Sequence, residues 1–227
     1  MDPLAALGAR VTACRRCPRL VGYGREVAGR KRAAYFQETY WGRPVPGFGD
    51  RRARLMIVGL APGAHGAHRT GRMFTGDRSG DFLFAALWRA GFANQPDARR
   101  RGDGLELRDA YISAAVRCAP PDNLPLRSEF ENCRGYLIEE IGLLRRARVF
   151  LALGGLAHRE LGRALIAAGR AAADTRFRFA HGARQPLARG RWLIAAYHPS
   201  QQNTFTGRLT AAMMDQLLRE ARALLSD

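Results

Sequence analysis

Residues 53–81 read ARLMIVGLAPGAHGAHRTGRMFTGDRSGD. The stretch opens on a short, nearly continuous apolar run, ARLMIVGL at 53–60, of the length expected for a strand buried on both faces. It then breaks into a loop in which Gly59, Gly63, Gly66, Gly71, Gly76 and Gly80 alternate with few side chains able to do chemistry. Glycine lets main chain approach a ligand closely, so such a loop predicts a site built partly from backbone. Two familiar phosphate-binding loops do not fit. Gly66-x-x-x-x-Gly71 has the first half of a P-loop, but Arg72 and Met73 stand where a lysine and a Ser/Thr must meet phosphate and magnesium. The dinucleotide fingerprint G-x-G-x-x-G does not occur in the stretch.

Three more runs of the same kind follow: AYISAAV at 110–116, RVFLALGG at 148–155 and RWLIAAYH at 191–198. Each predicts a central parallel strand. Helical patterns lie between and after them, at 79–92, 128–146, 156–168 and 208–225, and Ser128-x-x-Glu131 reads as a capping box opening the second. Strand alternating with helix predicts an α/β three-layer sandwich around a central four-stranded parallel sheet. Residues 1–227 read as one domain, with 1–50 as an N-terminal arm, no internal repeats, and surface loops at 94–108 and 170–190. Ligands of such sheets gather beyond the carboxyl ends of the strands. The glycine loop leaves the first predicted strand and HPSQQNTFTGR (198–208) leaves the last, so both should face one cleft.

The 227 residues carry 37 basic and 20 acidic side chains, a formal net charge of +17. That excess points to a polyanionic partner, with nucleic acid ahead of other choices. Lys31 is the sole lysine, and a biased genome accounts for arginine in place of lysine, but not for the shortage of acids. No apolar run approaches the ~18 residues of a membrane span. The opening MDPLAALGARVTACRRCP lacks the long apolar centre of a cleavable signal, which reads as a cytoplasmic protein.

Four cysteines are unevenly spaced: Cys14-x2-Cys17, then Cys118 and Cys133. Disulfides are not expected in a cytoplasmic chain. The second pair is too widely spaced for a zinc knuckle, whereas an iron–sulfur cluster accepts scattered thiolates. Spacing alone leaves cluster, zinc and ordinary buried thiols open. Arg15, Arg16 and Arg117 nearby favour thiolates and hence the two metal readings.

The motifs GLAPGAHGAHRTGRMFTGDRSG, RCAPPDN and HPSQQNTFTGR, threaded on the four cysteines, resemble the family 5 uracil-DNA glycosylases, iron–sulfur base-excision enzymes of bacteria and archaea. The resemblance runs from about Cys14 to the C-terminal helix. It implies the uracil-glycosylase α/β fold with its arm clipped by a [4Fe–4S] cluster on Cys14, Cys17, Cys118 and Cys133. It further implies a monomer acting on double-stranded DNA, with single strands open. The substrates it implies are uracil and the deaminated purines hypoxanthine and xanthine. The glycine loop, with Gly59, Ala61, Pro62 and Gly63, then becomes the floor of a pocket for a base flipped out of the duplex.

On the same resemblance Phe74 stacks under the base, Asn123 reads the uracil O4/N3 edge, and His198 donates to O2 as the glycosidic bond breaks. Without it, Phe74 reads more readily as core, Asn123 equally as a turn residue after Pro120 and Pro121, and His198 as structural. Asp77 matches the family's FTGD aspartate, able to steady the sugar cation or place water, and also suits a helix N-cap. Related families carry an acid or amide where this chain has Ala61. Arg69 and Arg72 are candidate phosphate contacts. His65 matches the family pattern, and His68 departs from it. The segment after His198 would enter the minor groove, with Ser200 among its DNA contacts, Gln201, Gln202 and Asn203 as its wedge and Arg208 on a phosphate. Two rivals stay open: a non-catalytic iron–sulfur DNA-binding protein, which would not need Phe74, Asn123 and His198 together, and an electron carrier, for which the close four-cysteine run of bacterial ferredoxins is absent.

Overall fold

A computed structural model of the chain describes residues 2–226. The predicted strands form where apolar runs are buried on both faces: β2 (Leu55–Gly59), β3 (Ala110–Ala114), β4 (Val149–Leu153) and β6 (Arg191–Ala196). They pair in parallel in the order β3-β2-β4-β6, in the register Ile57↔Ile112 and Ile57↔Leu151. Two antiparallel edge strands extend this core to six, β1 (Phe48–Gly49) beside β3 and β5 (Arg184–Leu187) beside β6. The stretch 170–190, expected as loop, therefore contains an edge strand. Pro186 is tolerated there because an edge strand needs no N–H on its open side.

Helices cover both faces, and the alternation of β2 shows how. Leu55 and Ile57 join a core with Leu83, Phe84 and Leu87 of α4 (Arg78–Arg89) and Leu217 and Leu218 of α8 (Ala211–Ser226). Met56 and Val58 point the other way, into a core with Leu137 and Ile141 of α5 (Arg127–Leu143) and Leu161 and Leu165 of α6 (Gly155–Ala167). The result is the α/β sandwich that the alternating pattern predicts. α5 begins earlier than its expected capping box. Glu129, not Ser128 or Glu131, closes the first turn, accepting from the Leu126 N–H at 2.7 Å.

The arm is itself helical, with α1 (Pro3–Thr12) and α2 (Pro18–Arg30), each led by a proline that suits a first helical turn. α1 packs on α5, where Arg10 pairs with Glu139. α2 is bound to the glycine loop through His68 of the short helix α3 (Ala67–Thr70); the His68 Nε2–H donates to the Gly24 carbonyl at 2.9 Å. Gly24 has no side chain because the His68 ring occupies that space, 2.8 Å from where a Cβ would stand. The residue that departs from the family pattern thus joins arm to loop. After β6 the chain makes a short helix that the sequence pattern does not predict, α7 (Gln201–Phe205), before α8, which takes the place of the last predicted helix.

Candidate active site

The carboxyl ends of the parallel strands surround a cavity of about 360 Å³ lined by Leu60, Ala61, Pro62, Gly63, Phe74, Asp77, Asn123, His198, Ser200 and Gln201, among others. Loops from three strands thus deliver residues 60–77, 123 and 198–201 to one place, where the strand order reverses about β2, as ligand sites in such sheets do. Two of these residues hold a left-handed backbone that non-glycine residues seldom adopt, Phe74 at φ 53 and Asn123 at φ 57. Such strain persists only where surroundings impose it, and it concentrates at functional sites.

Phe74 is buried as the cavity floor. The backbone of Gly59 at the end of β2 lies directly against it, and a Cβ there would stand 2.7 Å from the ring. The His198 ring faces Phe74 with centroids 6.1 Å apart and planes 33° apart. Burial without a charged partner lowers the His198 pKa to about 4, so the imidazole is neutral at physiological pH. A neutral imidazole with a free N–H is a hydrogen-bond donor that carries no charge until it meets one. Asn203 steadies this segment, its Nδ2–H donating to the His198 carbonyl at 2.8 Å. Asn203 is therefore turned inward onto backbone and does not stand out as a wedge. Ser200 caps α7, its Oγ accepting from the Asn203 N–H at 3.4 Å.

Asp77 does both of the jobs open to it. Its Oδ1 accepts from the Gly80 N–H at 2.9 Å and caps α4, while the carboxyl borders the cavity. Oδ2 lies against Gly66, where a Cβ would come within 1.9 Å. Burial raises the Asp77 pKa, against the lowering effect of the Gly80 N–H. Asp77 also borders a second, shallower depression of about 550 Å³, with Arg32, Tyr35, His65, Arg78, Gln201 and Phe205. The His65 Nδ1 is 3.0 Å from the Tyr40 hydroxyl, which holds the arm beside this depression.

Arg69 and Arg72 are not surface phosphate contacts, since each is only 6% exposed. Arg72 makes a two-pronged pair with Asp103, at 2.8 and 2.7 Å, and its Nε–H donates to Thr75 Oγ1 at 2.9 Å. Arg69 donates to the His65 and Gly76 carbonyls, pairs with Glu38 and lies over the Tyr35 ring. Both guanidinium groups are committed to shaping the glycine loop. Exposed arginine at the mouth comes from elsewhere. Arg78 leans on the Phe205 ring, Arg208 lies 4.6 Å from the Tyr197 centroid, and Arg32 edges the second depression. Phe205 is 69% exposed, which makes it the most prominent apolar side chain of the segment after His198. Gln201 and Gln202 are exposed beside it. Sequence reasoning passed over Arg32, Arg78 and Phe205, although Arg78 adjoins Asp77 and Phe205 lies within the quoted motif.

Cys17, Cys118 and Cys133 share a small apolar cluster with Leu20, Ala115, Val116 and Phe130. All four thiols are free of disulfides. Burial and the fields of Cys133, Cys14 and Cys17 push the Cys118 thiol up. Cys133 is raised by burial against the pull of Arg117, while at Cys14 hydrogen bonds involving Tyr136 and Arg16 outweigh burial and lower it. The Cys118 sulfur thus sits within the electrostatic reach of Cys133, Cys14 and Cys17. Among the described residues no group of three or more His, Cys, Asp or Glu is close enough to hold a single metal ion. The donors gathered here are thiols, the ligand type that both zinc and iron–sulfur clusters take.

The model of the Uracil DNA glycosylase superfamily matches residues 46–222. Type-5 uracil-DNA glycosylases from Mycobacterium leprae, Mycobacterium tuberculosis and Thermus thermophilus are similar along almost the whole chain. The first is 50% identical over 219 residues, 96% of this chain and 94% of the relative. The second is 51% identical over 222 residues, covering 97% and 81%, and the third 51% over 214 residues, covering 94% of each.

Proposed function

The chain belongs to the uracil-DNA glycosylase superfamily and within it to the type-5 uracil-DNA glycosylases, and we propose how its own residues do the chemistry. It excises uracil from DNA by hydrolysing the N-glycosidic bond, a step of DNA repair. The observation that carries the residue roles is the convergence of Phe74, Asn123 and His198 on one cavity. An extruded base lies on Phe74 and offers its edge to Asn123, while His198 faces the O2 on which charge develops as the base departs. Because His198 is neutral, it stabilises that charge by donation and keeps its proton. The Ala61 and Gly63 N–H groups, which make no hydrogen bond among the described residues, add further donors at the floor. Pro62 has none to give.

Asp77 borders both the base cavity and the second depression, a position suited to the sugar and the attacking water. Its carboxyl steadies the oxocarbenium-like sugar or orients that water, the part Ala61 leaves unfilled. Arg32, Arg78 and Arg208 hold flanking phosphates of double-stranded DNA, and Phe205 with Gln201 and Gln202 presses into the minor groove. We read the enzyme as a monomer. Cys14, Cys17, Cys118 and Cys133 hold a [4Fe–4S] cluster, which supplies a structural clip between arm and sheet.

The substrate range extends to hypoxanthine and xanthine. Each of the eleven heavy atoms of xanthine, bonded within a bicyclic ring system, takes less than the roughly 30 Å³ that liquid water allots to a molecule, so the base needs well under about 330 Å³. The cavity holds about 360 Å³. Single-turnover excision from matched duplexes, read as alkali-labile sites, tests this. The enzyme should release both uracil and hypoxanthine. Asp77→Ala should slow hypoxanthine release at least as much as uracil release, since a purine leaves with help from ring protonation and asks less of His198. His198→Ala should harm uracil most. Equal losses for both variants on both substrates would reject this division, and no release of hypoxanthine would reject the wider range.

A further inference from the structure

Asn123 sits on a loop that does not hold itself in place. Between β3 and α5 the chain makes a tight turn at Pro121–Asn123, with Asp122 (φ 53) and Asn123 (φ 57) both in the left-handed region. The internal ties of this turn are the Asn123 N–H to the Pro120 carbonyl at 3.3 Å and the Leu124 N–H to the Pro121 carbonyl at 3.0 Å. Leu124 is 62% exposed and does not anchor the turn in the core. Two consecutive left-handed residues outside glycine need an external constraint.

That constraint arrives from the arm. Arg19, in the first turn of α2, donates from one guanidinium nitrogen to the Leu124 carbonyl at 3.1 Å. The same guanidinium grips Glu129 with two bonds of 2.8 Å each. Glu129 in turn accepts from the Leu126 N–H at 2.7 Å. Arg19 and Glu129 therefore hold the chain at 124 and 126, immediately after the residue that faces the base. Among the described residues, the bond to Leu124 is the one that ties the 120–126 backbone to a distant part of the chain. The Glu129 side chain is nearly buried and Arg19 is partly so, which makes the pair stronger than an exposed one.

We propose that Arg19 is a positioning residue for base recognition, a latch by which the N-terminal arm fixes the Asn123 loop over the cavity. The inference rests on Asn123 being a base reader. With the latch cut, the turn relaxes toward right-handed backbone and carries the Asn123 amide off the cavity. The arm thus contributes to recognition as well as to folding.

A double-mutant cycle tests this, with Arg19→Ala and Asn123→Ala measured singly and together by single-turnover excision of uracil from duplex DNA. Arg19→Ala should slow excision about tenfold in the parent, the scale of a lost charge-assisted hydrogen bond, and less than about twofold in the Asn123→Ala background. Hydrogen exchange at the Leu124 and Leu126 amides should quicken in Arg19→Ala. If Arg19→Ala does not fold, Arg19→Lys and Glu129→Gln loosen the same grip more gently and enter the same cycle. An equal loss in both backgrounds, or an unchanged rate, overturns the latch. Asn123→Ala at the parental rate would instead remove the base-reading role, and the latch with it.

Discussion

A methyl group added at Gly66 should disable catalysis far more than folding. The Cβ of Gly66→Ala would come 1.9 Å from Asp77 Oδ2 and 2.7 Å from its Cγ, well inside any tolerated contact. Either Asp77 rotates or the loop at 63–70 shifts. Rotation is the smaller change, and it breaks the bond from the Gly80 N–H to Oδ1 that caps α4. Losing a cap of this kind costs about 1 kcal/mol, within a range of roughly 0.5–2. In a protein of 227 residues that lowers the melting temperature by about 2–4 °C. The catalytic loss is larger, because a preorganised charge beside the reacting sugar is worth on the order of a hundredfold to a thousandfold in rate. Single-turnover excision of uracil, run beside a thermal melt, reads both numbers. The double variant with Asp77→Ala discriminates the cause. Removing the carboxyl leaves only the Asp77 Cβ, 3.1 Å from the added methyl, so the clash largely disappears. The double variant should then be no slower than Asp77→Ala alone, within about threefold. A further hundredfold loss in the double variant, or near-parental excision by Gly66→Ala, would refute the reasoning.

Three other outcomes follow from the same geometry. The excision rate should stay level from about pH 6 to 8 with no histidine limb at 6.5, since His198 stays neutral down to about 4; a limb there that vanishes in His198→Ala would contradict this. The same depressed pKa makes His198 contribute stability that is complete above about pH 6.5 and lost as pH falls toward 4, at most about 3 kcal/mol, measurable as a smaller acid loss in denaturant unfolding of His198→Ala. DNA affinity should fall linearly with log salt; Arg208→Ala should shallow the slope by about 0.9 for its lost phosphate, whereas Arg72→Ala should leave the slope alone and cost about 3–5 kcal/mol of stability by orphaning Asp103, and a slope change in Arg72→Ala would show that its guanidinium reaches DNA after all. Anaerobically purified protein should be brown, with about four irons and four sulfides per chain, and stoichiometric zinc without sulfide would reject the cluster.

Local apolar runs made the four parallel strands legible, because burial on both faces leaves no choice of residue type. Long periodic segments did the same for α4, α5, α6 and α8. What stayed hidden depends on partners far away in the chain. β1 is two residues and β5 is RQPL, and neither is a strand until β3 or β6 offers an edge. The Ser128-x-x-Glu131 pattern satisfied the local rule for a helix start, yet Glu129 closes the turn because Arg19, 110 residues earlier, holds its carboxylate. Arg69 and Arg72 looked like any loop arginines in a chain of net charge +17. Their partners Glu38 and Asp103 are each 31 residues away, on opposite sides in sequence.

The same contrast explains why the glycine loop reads so poorly as chemistry and serves it so well. Its glycines mark where other side chains lie. Gly59 is bare because the Phe74 ring rests on it, and Gly66 is bare because the Asp77 carboxyl presses against it. The loop thus records the shapes of two residues of the cavity that stand 15 and 11 positions downstream, as an impression rather than as a motif of donors and acids. Phe74 is held at φ 53 above one such gap and Asp77 is held in a buried cavity beside the other. The left-handed backbone of Phe74 and the burial of the Asp77 carboxyl each cost free energy in isolation and survive because the surroundings impose them. A search for catalytic side chains between 58 and 72 finds almost none, and that scarcity is what leaves room for Phe74 and Asp77 to line the cavity.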